Sequence, residues 1–225
     1  MRNGSTVAVL FDIDGTLITT GGAGAVAWRR AFDELHGIPA DIGQFTDAGM
    51  TDFEVCRRTF VSVLGREPAA GELRELMAAR LDYLPQAVEE SPGYRVLPGV
   101  TELLASLTYR GYLVGLATGG VQAAARIKLA RARINDYFAF GGYGSDSNDR
   151  GELTRRGIER AAGLYGAALD PDRCLVVGDT PRDVAAARAA GAVSVAVATG
   201  HFSTDQLHDA GADHVLESLE EEFPL

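Results

Sequence analysis

Short apolar runs that end in a polar residue or a glycine recur along the chain and limit its fold more than any other feature. Most of them are continuous rather than alternating, which is typical of strands buried on both faces. The runs are VAVLF (7–11), YLVGLAT (112–118), YFAF (137–140), CLVVGD (174–179), VSVAVAT (193–199) and HVL (214–216). Because such strands belong to parallel sheets covered by helices, the sequence predicts an α/β fold.

Helical patterns separate these runs in the later part of the chain. Residues 100–111 end at a glycine typical of a helix C-cap, residues 121–134 are amphipathic, and residues 182–191 are rich in alanine. Strand and helix patterns therefore alternate from about residue 96 onward. This alternation predicts a Rossmann-like parallel sheet core with helices on both faces.

The segment of residues 20–95 has helical spacing and no intervening strand pattern. The spacing occurs in AGAVAWRRAFDELHG, TDFEVCRRTFVSVLG and AAGELRELMAARLDYLPQAVEE. The sequence therefore predicts an α-helical insertion after the first strand. We expect an α/β core of residues 1–19 and 96–225 and a helical domain of residues 20–95.

Composition and charge exclude several classes of partner. The 225-residue chain has a net charge of −10 and no basic stripe with interleaved aromatic residues, so nucleic acid is not expected to bind. Its apolar runs are too short to cross a bilayer, which predicts no membrane partner.

The two cysteines, Cys56 and Cys174, lie far apart without metal-ligand spacing. A reduced, cytoplasmic protein is the simplest account, and the oligomeric state, monomer or homodimer, stays open.

Polar residues follow four of the predicted strands, in FDIDGT, ATGG, YGSDSNDR and GDTPRD. In open parallel sheets, ligands bind outside the carboxyl ends of the strands, so these segments should meet at one edge. Asp12 and Asp14 are two residues apart in an extended segment and can reach the same ligand. Together with Asp179 they offer hard oxygen donors, a set that suits Mg²⁺.

DIDGT, ATGG and GDTPRD resemble, in this order, the first, second and fourth motifs of the haloacid dehalogenase (HAD) superfamily, whose members are mostly phosphatases. The helical insertion after the first strand resembles the cap of that family. The resemblance spans nearly the whole chain, and phosphoglycolate-phosphatase-like enzymes are the most similar members. It implies a Mg²⁺-dependent phosphoric monoester hydrolase that acts on a small phosphorylated metabolite through an aspartyl-phosphate intermediate.

The resemblance implies a role for each acidic residue of the motifs. Asp12 would be the nucleophile, and Asp14 would protonate the leaving oxygen and then activate water. The metal ligands would be the Asp12 side chain, the Asp14 backbone carbonyl and Asp179. Asp183 would orient the metal ligands or pair with a basic residue, although capping of a helix is a simpler role for it.

The residues after the second motif strand suggest a phosphate site. Thr118 and Gly119 offer a hydroxyl and a backbone N–H ahead of a helix, an arrangement that can cradle phosphate. A turn with glycines at the strand end is the alternative interpretation. Thr16 is expected to fix the first loop and to bind phosphate with its hydroxyl.

The third motif of the family is a cation, usually lysine, and here the chain departs from the pattern. Its single lysine, Lys128, falls inside the helix after ATGG, which is not the expected place. The segment SDSNDRGELTRRGIERA offers Arg150, Arg155 and Arg156. Arg150 is the favoured candidate because it precedes the helical pattern at about the expected spacing, and Arg155 is the reserve. An arginine there can bind phosphate bidentately.

Alternatives stay open for the activity. A phosphomutase of the β-phosphoglucomutase type shares every catalytic residue and differs in how the cap shields the acyl phosphate from water. A catalytically silent phosphate-binding module is disfavoured because Asp12, Asp14 and Asp179 are all present. The sequence does not identify the substrate. His201, which follows the strand at 193–199, is expected to be structural or solvent-exposed.

Overall fold

The computed structural model describes residues 7–44 and 47–225. Residues 1–6 of the predicted core and residues 45–46 of the predicted helical domain lie outside the described residues. The strands are β1 (Ala8–Phe11), β2 (Ile18–Thr20), β3 (Tyr94–Val96), β4 (Leu113–Thr118), β5 (Phe140–Tyr143), β6 (Cys174–Gly178), β7 (Val193–Val197) and β8 (His214–Leu216). The helices are α1 (Ala23–His36), α2 (Asp52–Leu64), α3 (Ala70–Glu90), α4 (Val100–Tyr109), α5 (Gln122–Ala130), α6 (Arg150–Tyr165), α7 (Pro181–Ala190) and α8 (Thr204–Asp209).

A six-stranded sheet forms the centre of the α/β part, in the order β5-β4-β1-β6-β7-β8. Every neighbouring pair in this sheet is parallel. The predicted α/β fold is therefore confirmed. Because β1 lies between β4 and β6, the loops that follow these strands emerge side by side at the carboxyl edge.

Helices cover both faces of this sheet. Leu10 and Phe11 are successive residues of β1, and their side chains point to opposite faces. Phe11 joins an apolar cluster with Leu104 of α4 and Leu129 of α5. Leu10 joins a separate cluster with Leu153 of α6. Burial of both faces explains why the strands have continuous apolar sequences.

The segment of residues 20–95, called the helical insert below, contains α1, α2 and α3. Their side chains form an apolar cluster that includes Phe32, Phe60 and Leu76 and extends to Val121 and Ala124 at the start of α5. The order of elements agrees with the predicted insertion after the first strand. That the insert is a separate domain with these bounds, apart from a core of residues 1–19 and 96–225, stays a prediction.

No helix in the described ranges is both long enough and apolar enough to span a membrane.

Two strands were not predicted where the chain enters and leaves the helical insert. β2 and β3 pair antiparallel, with Thr19 opposite Arg95. Each strand has three residues, which is too short to show an alternating pattern in the sequence.

The predicted strand at 137–140 is wrong in its position. Asn135–Tyr137 forms a turn of 3₁₀ helix, and β5 begins at Phe140 and continues through the glycines of FGGY. A side chain on Gly142 would overlap the backbone carbonyl of Leu153, because α6 packs directly onto the strand. Glycine is required at this contact, and glycines weaken the strand pattern in the sequence.

Candidate active site

The predicted convergence of strand ends is present in the structure. Phe11, the last residue of β1, is in register with Leu116 of β4 on one side and Val177 of β6 on the other. The segments that carry Asp12 and Asp179 therefore leave the sheet next to each other. The N-terminus of α6 approaches the same edge.

Three buried carboxylates form a cluster at this edge. Oxygen atoms of Asp12, Asp179 and Asp183 all lie within 4.8 Å of one another. Burial, together with the charge of Asp183, raises the pKa of Asp12 to about 7, although Arg150 opposes the shift. Burial, Asp183 and Asp12 raise the pKa of Asp179 to about 8. Buried carboxylates this close together can all be ionised only when a cation lies beside them. Hard oxygen donors of this kind suit a divalent metal ion.

Backbone packed around Asp179 holds this carboxylate in place. A side chain on Gly15, which has a φ of 87°, or on Gly200 would overlap the carboxylate. The hydroxyl of Thr16 donates a hydrogen bond to Asp179 Oδ1 at 3.0 Å. Thr16 is fully buried, so its hydroxyl fixes Asp179. Its predicted binding of phosphate stays a prediction.

Arg150 lies beside the predicted nucleophile. Its Nη2 atom is 3.6 Å from Asp12 Oδ1, and it also contacts Asp183 Oδ1. Its Nη1 atom donates to the carbonyl of Gly49 in the helical insert at 3.0 Å. Arg150 is the first residue of α6, capped by Asp149, and so does not lie in the loop before the helix as expected.

The two other arginines considered for this position face away. Arg155 and Arg156 pair with Glu152 at 2.9 and 3.3 Å on the exposed side of α6. Among the three candidates, Arg150 is thus the one that places a positive charge next to Asp12.

Asp183 combines the alternative roles predicted for it. Its Oδ1 atom contacts Arg150, and its Oδ2 atom accepts hydrogen bonds from the Thr180 hydroxyl at 2.7 Å and from the Thr180 N–H at 3.1 Å. It therefore caps α7 and orients Arg150 at once. Since both of its oxygens are engaged, Asp12 and Asp179 are the carboxylates of the cluster better placed to hold a metal.

Asp14 is placed differently from the other acidic residues. Its side chain is 45% exposed and forms an ion pair with Lys128, whose side chain is 10% exposed. Lys128 thus lies at the site beside Asp14, whereas the cation beside Asp12 is Arg150. Lys128 lies on the buried face of α5 with Ala124 and Leu129. The sequence did carry a signal for this position, because a lysine occurs at helical spacing among the apolar residues of α5.

Thr118 and Gly119 lie where the second motif predicts them. The Thr118 hydroxyl lowers the pKa of Asp12, which opposes the effect of burial. It also accepts a hydrogen bond from the N–H of Gly120 at 3.3 Å. A side chain on Gly119 would lie 2.7 Å from the carbonyl oxygen of Met50 and 3.0 Å from Arg150 Nη1. The loop is therefore packed tightly between β4 and the helical insert, and its binding of phosphate stays a prediction.

A family model described as haloacid dehalogenase-like hydrolase matches residues 6–191. The chain is a haloacid dehalogenase-like hydrolase. A phosphoglycolate phosphatase of Rhodospirillum rubrum is 30% identical over 211 residues, which cover 91% of this chain and 84% of the relative. Hexitol phosphatase A of Escherichia coli is 30% identical over 219 residues, which cover 94% of this chain and 91% of the relative.

A solved structure extends this likeness to the whole fold. The crystal structure of a hydrolase from Pseudomonas syringae has a TM-score of 0.68 to this HAD hydrolase and 25% identity, covering 95% of this chain and 94% of that one. The family and the enzyme class predicted from the motifs, a phosphoric monoester hydrolase, are confirmed by these relatives.

A cavity of about 430 Å³ opens beside the acidic cluster of this HAD hydrolase. Asp14, Asp179, Arg95 and His201 are among the residues that line it. His201 is exposed, as expected, and it also lines this cavity. Sequence reasoning missed Arg95, because nothing in the sequence places β3 next to the strand ends.

Proposed function

We propose that this protein hydrolyses a small phosphate monoester through an aspartyl-phosphate intermediate on Asp12, with Mg²⁺ bound at the acidic cluster. The observation that carries the proposal is the position of Arg150, 3.6 Å from Asp12 and beside the cluster of three buried carboxylates. A cation at that point offsets the repulsion between a carboxylate nucleophile and the phosphate that approaches it.

The first half of the reaction transfers the phosphoryl group to the protein. An Asp12 oxygen attacks phosphorus, the bond from phosphorus to the ester oxygen breaks, and an acyl phosphate forms. Asp14 gives a proton to the departing oxygen, which leaves as an alcohol. Arg150 holds Asp12 and offsets the charge that the phosphate brings.

The second half returns the protein to its starting state. Water attacks phosphorus, Asp14 takes the proton from that water, and inorganic phosphate leaves as the Asp12 carboxylate is restored. Asp12 and Asp179 are the side chains that would hold Mg²⁺, which supplies positive charge opposite the phosphate oxygens. Asp183 and Thr16 keep Arg150 and Asp179 in position through the contacts described above.

The exposure of Asp14 favours the phosphatase over the phosphomutase that shares these residues. A phosphomutase must keep water from the acyl phosphate until its second substrate arrives. The Asp14 side chain is 45% exposed and lines an open cavity, so water reaches the group that would activate it.

The substrate class follows from the cavity. Relatives that share 30% identity with this chain are named for different substrates, phosphoglycolate and hexitol phosphates, so identity at this level does not select one. We infer that Arg95 binds a second anionic group on the substrate. Among the described residues Arg95 has no ion pair, and it lines the same cavity as Asp14 and Asp179.

Phosphate release from a panel of phosphate monoesters tests the proposal. We expect turnover with Mg²⁺, loss of turnover in EDTA, and recovery when Mg²⁺ is restored. Substrate binding without any phosphate release across the panel would instead support the silent binding module. Full turnover in EDTA would contradict the role given to the acidic cluster.

A further inference from the structure

A carboxylate of the helical insert is buried against the loop after β4. Asp52 is the first residue of α2, and its Oδ2 atom accepts a hydrogen bond from the backbone N–H of Val121 at 2.8 Å. The N–H of Asp52 donates in turn to the carbonyl of Gly119 at 2.9 Å. These two bonds connect the first turn of α2 to loop 118–121, which carries Thr118.

Asp52 supplies a hydrogen-bond acceptor that the residue before α5 does not provide. Val121 is the residue that precedes α5, and its apolar side chain accepts no hydrogen bond. The N-terminal end of a helix has free N–H groups and favours negative charge. The carboxylate that meets this need comes from a residue 69 positions earlier in the chain.

Within the helical insert, Asp52 forms a buried ion pair with an arginine. Arg80 of α3 lies 2.8 Å from Asp52 Oδ2, and its side chain is 2% exposed. Its guanidinium group also lies over the ring of Trp28, 4.6 Å from the centroid. Asp52 therefore connects a buried charge of the insert with a backbone group of the predicted phosphate site.

We propose that Asp52 is a positioning residue, which couples the seating of the helical insert to the geometry of loop 118–121. The inference rests on the proposed function, because that loop is the one assigned to phosphate. Its Thr118 acts on Asp12, and its Gly119 packs against Arg150, so a displaced loop disturbs both the nucleophile and its cation. Turnover then requires the hydrogen bond that the Val121 N–H donates to Asp52.

Two matched double variants isolate the bond to Val121. Asp52→Asn/Arg80→Met and Asp52→Leu/Arg80→Met both remove the buried ion pair, and such replacements are often neutral for stability. The asparagine keeps an oxygen that accepts from Val121, whereas the leucine has none. Asp52→Ala/Arg80→Met is a second variant without an acceptor, for use if the leucine is not accommodated. Glu54→Gln is the control, since Glu54 bridges the insert to Arg182 at 3.5 Å and has no contact with loop 118–121 among the described residues.

The readouts are kcat and KM for a phosphate monoester, and amide hydrogen exchange of residues 118–130 in the protein without substrate. We expect the variants that lack an acceptor to lose about 10- to 100-fold in kcat and to exchange faster in this segment. The asparagine variant and Glu54→Gln should stay close to wild type in both readouts. Equal behaviour of the asparagine and leucine variants would overturn the proposal.

The exchange measurement separates this proposal from the proposed function. Faster exchange in the leucine variant of a protein that hydrolyses no phosphate monoester would support the coupling and refute the phosphatase. Unchanged exchange and kcat in a folded leucine variant, with an active wild type, would refute the coupling alone.

Discussion

The ammonium group of Lys128 contacts the Oδ2 atom of Asp14, so the single lysine of the chain lies beside the carboxylate assigned to proton transfer. The Tyr94 hydroxyl donates a hydrogen bond of 2.7 Å to the carbonyl of Lys128, which connects this turn of α5 to β3. The lysine therefore has a fixed position, from which it orients Asp14 towards the cavity.

Replacement of Lys128 should impair proton donation more than binding. Lys128→Met leaves Asp14 without its partner, so we expect kcat for an alkyl phosphate to fall by about 10- to 100-fold, part of the effect of general acid catalysis. The loss should be smaller for p-nitrophenyl phosphate, whose leaving group needs no proton. Lys128→Arg should recover part of the activity. Equal losses on both substrates would contradict a role through Asp14.

Arg150 should contribute more to turnover than any neighbouring arginine. Arg150→Ala removes the positive charge next to Asp12, and we expect kcat to fall by about 10²–10³ at saturating Mg²⁺. Arg150→Lys should recover part of this loss, because charge returns without the fork that reaches both Asp12 and Asp183. Arg155→Ala and Arg156→Ala are the controls, and they should remain close to wild type. A large loss in Arg155→Ala with a normal Arg150→Ala would refute the assignment.

The acidic cluster should make the stability of the metal-free protein depend on pH. The pKa values of Asp12 and Asp179, about 7 and about 8, are raised above those of the unfolded chain, so folding favours their protonated forms. Their contribution to stability is present at low pH and is lost as pH rises through these values. We expect Tm in EDTA to fall as pH rises from about pH 4, where these groups begin to ionise in the unfolded chain, to about pH 8, and Mg²⁺ to raise Tm more at the higher pH.

A charge-neutral variant checks this linkage. Asp179→Asn removes one of the two groups with a raised pKa, so it should reduce both the fall in Tm and the response to Mg²⁺. An Asp179→Asn protein with the pH profile and the Mg²⁺ response of the wild type would show that another group controls them.

Arg95 should select for substrates with a second negative charge. Arg95→Ala is expected to lower kcat/KM by about 10- to 100-fold for a phosphate monoester that also carries a carboxylate, as expected for loss of a charge-assisted hydrogen bond. A hexitol phosphate should be affected much less. Arg29 is also exposed but does not line the cavity, so Arg29→Ala is the control. Similar losses on both substrates would refute a role in selection.

The fold and the acidic part of the site could be predicted because their signals are local. Asp12 and Asp179 each follow a continuous apolar run, and the carboxyl ends of parallel strands share one edge. Arg150 could be proposed because it precedes a helical pattern at about the spacing that the resemblance implies, although its position as the first residue of α6 was missed.

The remaining contacts depend on packing between segments distant in the sequence. Lys128 reaches Asp14 only because α5 packs with its buried face towards the first loop, and the bond between Asp52 and Val121 joins the helical insert to the loop after β4. The shift of β5 follows from close packing of α6 on Gly142. A pattern read along one segment carries no information about such neighbours.

The acyl phosphate on Asp12 is the central claim, and chemical trapping tests it most directly. The protein is mixed with substrate and Mg²⁺, quenched with borohydride, digested and examined by mass spectrometry, with Asp12→Asn as the inactive control. Borohydride reduces an acyl phosphate to an alcohol, so the account predicts homoserine at position 12 in the wild type only, with no phosphate release by the variant at unchanged Tm. Phosphate release by a folded Asp12→Asn protein at the wild-type rate, with no reduced residue at position 12, would contradict the account.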